Sequence, residues 1–514
     1  MPDQFFDLIL LIAVVAPALG GALSTVPSMR SGRWAVTSTA VALVAAAVVV
    51  VVAGGSTAPS WQVDGRLLVG ADRLGALLLV FVLAATLVVQ AYAVRSLRGD
   101  LWRHRFFVSS GFAASATATV VIAADLWVLV VGWVAVSLAT VALLRHDARP
   151  TARAAARRAL RTFAVGDAVL IGAALAASAS TGTVTLRPVE LERLATIAPQ
   201  LGGVGVVGVL AMAAVAAAVT RCALPPAQSW LPMSVAAPTP SSAVLHAGIV
   251  NGGGVLLIRF APLVSVSWAP TAIAVAAGCG GVLVGGAVAR TRPDVKTGLA
   301  WSTVAQMGFM VAQCVTGLLG PALVHMVAHG MYKANLFLGS GSTLAHTHPA
   351  RPDQGPHIAR AVGTTGATAV VVGAAWLIAR PTSFDGAAGL VFAGFVAVTV
   401  AQMVWAWSRS RPERSVLDLA ALAALMVGAT AAVALAGAIK SWLGPSLPEV
   451  APPTGFGAAA LALTGVAALA VALAARHERP GPLRAWSERS YLWARHLGDP
   501  GRLAPVMSRG EVRP

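Results

Sequence analysis

Charge is what this sequence has least of. Only 11% of its 514 residues are charged, 57% are hydrophobic, and the mean hydropathy is +0.77. A soluble globular protein carries about 25% charged residues. An ordinary cytosolic enzyme is therefore excluded, and so is a disordered chain. Cysteine is nearly absent. Cys222, Cys279 and Cys314 lie far apart in apolar surroundings and form no CxxC pair. That excludes a disulfide framework and gives no sign of a zinc or iron–sulfur site, so no cofactor is expected. Lysine is almost missing as well: Lys296, Lys333 and Lys440 are the three, and arginine supplies the rest of the positive charge. No phosphate-binding loop, G-x-G-x-x-G after a strand, HExxH or serine-triad spacing occurs. Chemistry on a bound substrate by this chain alone is not expected.

What the chain does have is long continuous apolar runs. Continuous runs, rather than alternation, argue against an outer-membrane barrel and for a bundle of spanning helices in a lipid bilayer. The fold class is all-α, a polytopic membrane helix bundle of about 14–15 spans, at about 20 apolar residues each. Expected centres lie near residues 15, 44, 84, 115, 135, 171, 211, 251, 279, 308, 333, 370, 397, 427 and 465. The N-terminal run, Phe5 to Leu23, lacks a basic leader and reads as the first span. Residues 1–475 form one transmembrane domain and 476–514 a basic tail.

The net charge of +17 would suggest nucleic acid in a soluble protein. Here the charge sits in short loops and in the tail, so it reads as membrane topology and no nucleic-acid partner is expected. The first, third and fifth loops carry Arg30 and Arg33, then Arg95 to Arg105, then Arg145 to Arg161. The second and sixth loops offset their arginines with acids. By the positive-inside rule the odd loops and the tail face the cytoplasm and the N-terminus faces out. The tail mixes Trp486, Tyr491, Leu492 and Trp493 with eight arginines. A membrane-surface segment, a docking element and a plain solvated tail all fit it.

Ionisable groups inside a bilayer cost several kcal/mol, so each one is a functional hypothesis. His325, His329 and Lys333 stand at i, i+4 and i+8 of one apolar run and share a helix face. About 6 Å separates neighbours, too far for direct hydrogen bonds throughout, so bridging waters would have to complete a proton wire. Interhelical glue is the bland alternative. Five prolines between Pro225 and Pro240, including Pro225, Pro226 and Pro232, break any continuous helix. Arg221 stands just before that break. It either faces a cavity or ends its span and snorkels to the surface, and local sequence leaves the two even. His246 and Asn251 are the polar groups of the following span, relay or glue. Asp167 either pairs with a basic group on a neighbouring helix or caps its span beside the basic fifth loop. Spacing leans to the cap. Lys296 reads as a membrane-edge residue, and Asp418 as a charge favoured at a helix N-terminus.

Three ordered words carry a family resemblance: "LPPAQSWLPMSVAAPTPSSAVLHAGIVNGGGVLLIR", "DVKTGLAWSTVAQMGFM" and "HMVAHGMYKANLFLGSGS". They resemble the proton-translocating antiporter-like membrane subunits, a group that includes NuoL of respiratory complex I, MrpA of cation/proton antiporters and DabB of inorganic carbon transporters. The resemblance covers roughly Asp72 to Ser342. It implies an antiporter-like fold with inverted repeats and broken helices. It also implies an ion path through His325, His329, Lys333, His246, Arg221 and Asp167. The stretch "SAVLHAGIVNGGGVLLIRFAPL" looks most like DabB. NuoL and MrpA place a glutamate in a GWE word where this chain has Gly132-Trp133-Val134, and a lysine where it has Arg221. An arginine keeps its proton, so it biases a path but does not relay. The DabB resemblance implies a large peripheral DabA-type partner that holds zinc. This chain would conduct a cation, protons foremost, to drive CO2 hydration and uptake by that partner. The alternative is a NuoL/MrpA-like subunit of a respiratory or antiporter complex.

Overall fold

The computed structural model describes residues 2–29, 32–54, 60–63, 66–182, 184–197, 205–266 and 268–340, with isolated positions between 435 and 465 and the stretch 482–498. The expected spans near 370, 397, 427 and 465 fall outside the described residues. So do Asp418, the 475/476 boundary and most of the tail.

The apolar runs fold as helices because a lipid-facing chain must satisfy its own backbone groups. In order they are α1 (Pro2–Leu23), α2 (Arg33–Ala53), α3 (Arg73–Ser96), α4 (Arg103–Ile122), α5 (Leu126–Leu144), α6 (Pro150–Thr181), α7 (Pro188–Ile197), α8 (Val206–Arg221), α9 (Trp230–Met233), α10 (Thr239–Ala247), α11 (Gly252–Arg259), α12 (Ala261–Ser265), α13 (Trp268–Ala289), α14 (Val295–Val315) and α15 (Leu319–Gly339). Eight segments among the described residues are long and apolar enough to cross a membrane. The protein is a multi-pass membrane protein with an antiporter-like helix bundle. The scarce acids are placed at helix starts. Asp72, Asp125 and Asp294 each accept a backbone amide at the N-terminus of α3, α5 and α14.

Among the described residues a pair of strands interrupts the helices. Ser60–Val63 (β1) and Arg66–Gly70 (β2) form an antiparallel hairpin between α2 and α3. It lies against the α4–α5 turn, where Val69 bridges Ala123. This "hairpin face" is opposite the "basic face", which carries the α3–α4 and α5–α6 loops and the residues between α13 and α14.

The proline-rich stretch breaks the helix as its composition predicts. The chain leaves α8 at Arg221, makes the short α9, and resumes at α10. The break frees carbonyls, and Trp230 Nε1 donates to that of Thr220 at 3.0 Å. Beyond it α13 and α14 meet through glycines. A Cβ on Gly281 would lie 3.2 Å from the Gly308 Cα, and one on Gly278 2.7 Å from the Gly308 carbonyl. Only glycine permits that backbone approach.

Candidate functional site

Two polar clusters are built into the bundle. The first joins α5, α6 and α8. Arg221 is 1% exposed, which rejects the snorkelling alternative. Its Nη2 donates to the Trp133 carbonyl at 3.1 Å and to Ser137 Oγ at 2.8 Å. Its guanidinium lies over the Trp133 ring at 4.4 Å and the Phe163 ring at 4.7 Å. Asp167 Oδ1 stands 3.7 Å away. Asp167 is thus the partner of a basic group on a neighbouring helix, and the lean toward an interfacial cap is corrected. The residue sits in mid-helix, about 25 Å along α6 from Pro150 at 1.5 Å per residue. No backbone amide is free for capping there. Val134 adds no carboxylate, and Asp167 is the acid that balances Arg221.

The second cluster runs along the α14–α15 contact into the broken span. His325 and Lys333 both face α14, as the one-face stripe predicts. His325 Nδ1 lies 2.8 Å from Gln313 Oε1, and its Nε2 3.0 Å from Gln306 Oε1. Glutamine can present oxygen or NH2 to a ring nitrogen. Two oxygens suit a protonated ring, and one flipped amide suits a neutral one. His329 follows, with its ring 5.8 Å from that of His325, close to the helical estimate. His329 Nε2 is buried without a protein hydrogen-bond partner, as is Gln313 Nε2. Buried polar atoms of this kind are met by ordered water in membrane-protein cavities.

Lys333 is 3% exposed, and Nζ donates to the Leu299 carbonyl at 3.0 Å and to Ser302 Oγ at 2.6 Å. Among the described residues no carboxylate lies within ion-pair distance of it. His246, on α10, is fully buried. Its Nδ1 lies 3.1 Å from Thr303 Oγ1, its Nε2 3.4 Å from Ser234 Oγ, and its ring stacks on Phe337 at 4.4 Å. Phe337 is one turn beyond Lys333 on α15. The structure therefore joins His246 to the His–His–Lys line. Arg221 and Asp167 form a separate cluster, with Gly252 and Trp133 next to the Arg221 stem. Asn251 bonds the Ala247 and Met326 carbonyls at 2.8 and 3.4 Å and so ties the broken span to α15. Lys296 Nζ donates to Thr239 Oγ1 at 2.8 Å, a bridge between two helix starts that fits the edge reading.

Sequence reading missed five partners on α14: Leu299, Ser302, Thr303, Gln306 and Gln313. The signal for the glutamines was present. Two amides seven residues apart in an apolar run share a face. It also missed the pair between Arg259 and Asp72. Arg259 donates to both Asp72 oxygens, at 2.5 and 2.7 Å, and to the Val121 carbonyl at 3.0 Å. These contacts pin the end of the broken span to the hairpin face.

Comparison with known proteins agrees with this architecture. Residues 123–355 match the family described as NADH:quinone oxidoreductase/Mrp antiporter, TM. The chain is 31% identical over 325 residues to the "Probable inorganic carbon transporter subunit DabB1" of Halothiobacillus neapolitanus, covering 62% of this chain and 57% of that one. It is 35% identical over 280 residues to the "Probable inorganic carbon transporter subunit DabB" of Hydrogenovibrio crunogenus, covering 53% and 52%. It is 31% identical over 293 residues to "NADH-quinone oxidoreductase subunit L" of Mycobacterium tuberculosis, covering 56% and 45%. The matches span about half the length of these curated relatives. Among solved structures, the Mrp complex from Dietzia sp. DQ12-45-1b shares the fold at TM-score 0.58 and 23% identity, over 96% of this chain and 55% of that one. The archaeal membrane-bound sulfane sulfur reductase does so at TM-score 0.59 and 15% identity, over 96% and 97%. Together the curated matches and the family match support a DabB-type subunit of the NuoL/MrpA-like kind.

Proposed function

We propose that this chain is the membrane subunit of an energy-coupled inorganic carbon transporter. It conducts a cation, and protons are the ion its side chains fit. The conducted ion drives CO2 hydration and uptake by a DabA-type zinc partner docked on the basic face, which is cytoplasmic in this reading. The observation that carries ion conduction is the row of polar side chains His325, His329 and Lys333 on α15, with His246 of α10 beside it, set against the hydroxyls and amides of α14. Histidine and lysine are the side chains able to exchange protons, Lys333 has no carboxylate in ion-pair range among the described residues, and the unpartnered Nε2 of His329 and Nε2 of Gln313 offer bonds to water. The carbon substrate rests on the DabB relatives. Arg221 and Asp167 supply a fixed, balanced charge pair beside that line rather than a relay step.

The test is growth rescue. The chain is expressed with and without its candidate DabA in a bacterium lacking carbonic anhydrase, and growth is scored in ambient air. Rescue that needs both chains, with bicarbonate uptake abolished by an uncoupler, supports the proposal. A membrane-inserted complex that gives no rescue favours the second reading, a NuoL/MrpA-like subunit of a respiratory or antiporter complex. That reading draws on the match to the mycobacterial subunit L.

A further inference from the structure

The Leu299 carbonyl receives more donors than it can hold. Lys333 Nζ, Ser302 Oγ and Thr303 Oγ1 approach it at 3.0, 2.9 and 2.9 Å. As an interior carbonyl of α14 it also accepts the residue 303 amide. A carbonyl oxygen has two lone pairs. Both hydroxyls are also shared with the ion path: Ser302 Oγ with Lys333 at 2.6 Å, and Thr303 Oγ1 with His246 at 3.1 Å.

We propose that Ser302 and Thr303 form a hydroxyl bracket on Leu299 that couples the protonation of Lys333 to that of His246, acting as positioning residues of the path. The inference rests on the ion-conducting reading above. With Lys333 charged, its ammonium takes the lone pair of the Leu299 carbonyl that the residue 303 amide leaves, and displaces both hydroxyls; Ser302 Oγ accepts from the same ammonium. The freed Thr303 hydroxyl turns its proton toward His246 Nδ1, which then serves as acceptor and holds the ring neutral, with its proton on Nε2. With Lys333 neutral, the Ser302 hydroxyl turns its proton to the lone pair of Nζ, and the Thr303 hydroxyl donates to Leu299 again. Its lone pair then faces His246 and receives an Nδ1–H. On the other side, Ser234 gives its own proton to the Leu231 carbonyl at 2.6 Å and so presents a lone pair to Nε2. His246 then meets acceptors at both nitrogens and can carry the charge. Lys333 releases its proton to the ion path and His246 takes one from it, so one positive charge alternates between the two. The bracket gains and loses no proton; its hydroxyls only rotate.

The test uses the full chain in its complex, reconstituted in proteoliposomes, with proton flux read by a pH-sensitive dye across a range of pH. Thr303→Val keeps the shape and removes the hydroxyl. It is expected to lower flux about five- to tenfold, the worth of one hydrogen bond, and to shift the pH midpoint of flux. Ser302→Ala is expected to lower flux by a similar factor. Thr303→Ser restores the hydroxyl and is expected to return flux to within about twofold of the parent. Lys333→Ala is the control that should abolish flux. If it does while Thr303→Val and Ser302→Ala match the parent in flux and midpoint, the bracket is overturned and the ion path stands. If Thr303→Ser is as impaired as Thr303→Val, the role is packing and the bracket is overturned. A parent complex with no flux overturns the ion path and the bracket together.

Discussion

Two of the buried cations among the described residues, Arg221 and Lys333, are held on opposite plans. Arg221 is caged. A carboxylate, a hydroxyl, a carbonyl and two aromatic faces surround a charge that stays on at any physiological pH. Lys333 is held by one hydroxyl and one carbonyl, without an acid in ion-pair range among the described residues. The first site is arranged to keep a charge and the second is able to lose one. A helix bundle can thus bury a cation with a counter-charge at one place and without one, among the described residues, a few helices away.

The largest expected effect lies at the site that can lose its charge. Lys333→Ala should lower proton flux at least about a hundredfold, the scale of losing an acid–base group, as read in proteoliposomes. Flux equal to the parent would erase the functional half of the comparison. Stability should respond with the opposite pattern. Asp167→Asn leaves Arg221 buried without a counter-charge and should cost about 3–5 kcal/mol. Adding Arg221→Met should recover most of that loss. Lys333→Met should cost little or stabilise, because it removes a buried cation that has no carboxylate partner among the described residues. Thermal denaturation in detergent separates these outcomes, and equal losses for Asp167→Asn and Lys333→Met would collapse the distinction. Arg221→Lys sharpens it further. The charge stays while stacking on Trp133 and Phe163 is lost, at about 1–2 kcal/mol, with flux within about twofold of the parent.

The smallest effect lies outside the bilayer, where Asp100 accepts from His146 at 2.9 Å. Burial pushes the Asp100 carboxyl up, but hydrogen bonds from His146 and the Trp102 amide, with the charges of His146 and Arg149, hold it below its ordinary 3.8. A lowered carboxyl stabilises the fold above about pH 4, and that contribution fades as pH falls through the folded value. Asp100→Asn should cost about 1 kcal/mol at neutral pH, with the difference from the parent closing as pH falls through the lowered value of the carboxyl. A difference that persists in acid would show that the clasp does not depend on the carboxylate's charge.

Much of this was legible in the sequence. Uninterrupted apolar runs placed the helices, because hydropathy over about twenty residues is a strong signal. The proline density at Pro225 to Pro240 located the break, and i, i+4, i+8 spacing put His325, His329 and Lys333 on one face. What escaped was pairing across elements. Asp167 looked like a cap because spacing along α6 says nothing of α8. The hairpin at Ser60 to Gly70 is short and its second strand is mostly apolar, so period-two alternation was weak. Ser302 and Thr303 are ordinary residues in a helix until the lysine and histidine opposite them are placed. Arg259 stood inside a recognised word, yet its partner Asp72 lies 187 positions earlier.

The glycine contact between α13 and α14 has a mechanical consequence. Backbones that meet at Gly278, Gly281 and Gly308 cannot slide without collision, so the two helices behave as one plate. Leu299, Ser302, Thr303, Gln306 and Gln313 all ride on that plate. Any displacement that accompanies a change of charge is left to α15 and to the interrupted segment around His246. The position of α14 against α13 is thus set by hydrogen atoms where side chains would otherwise stand.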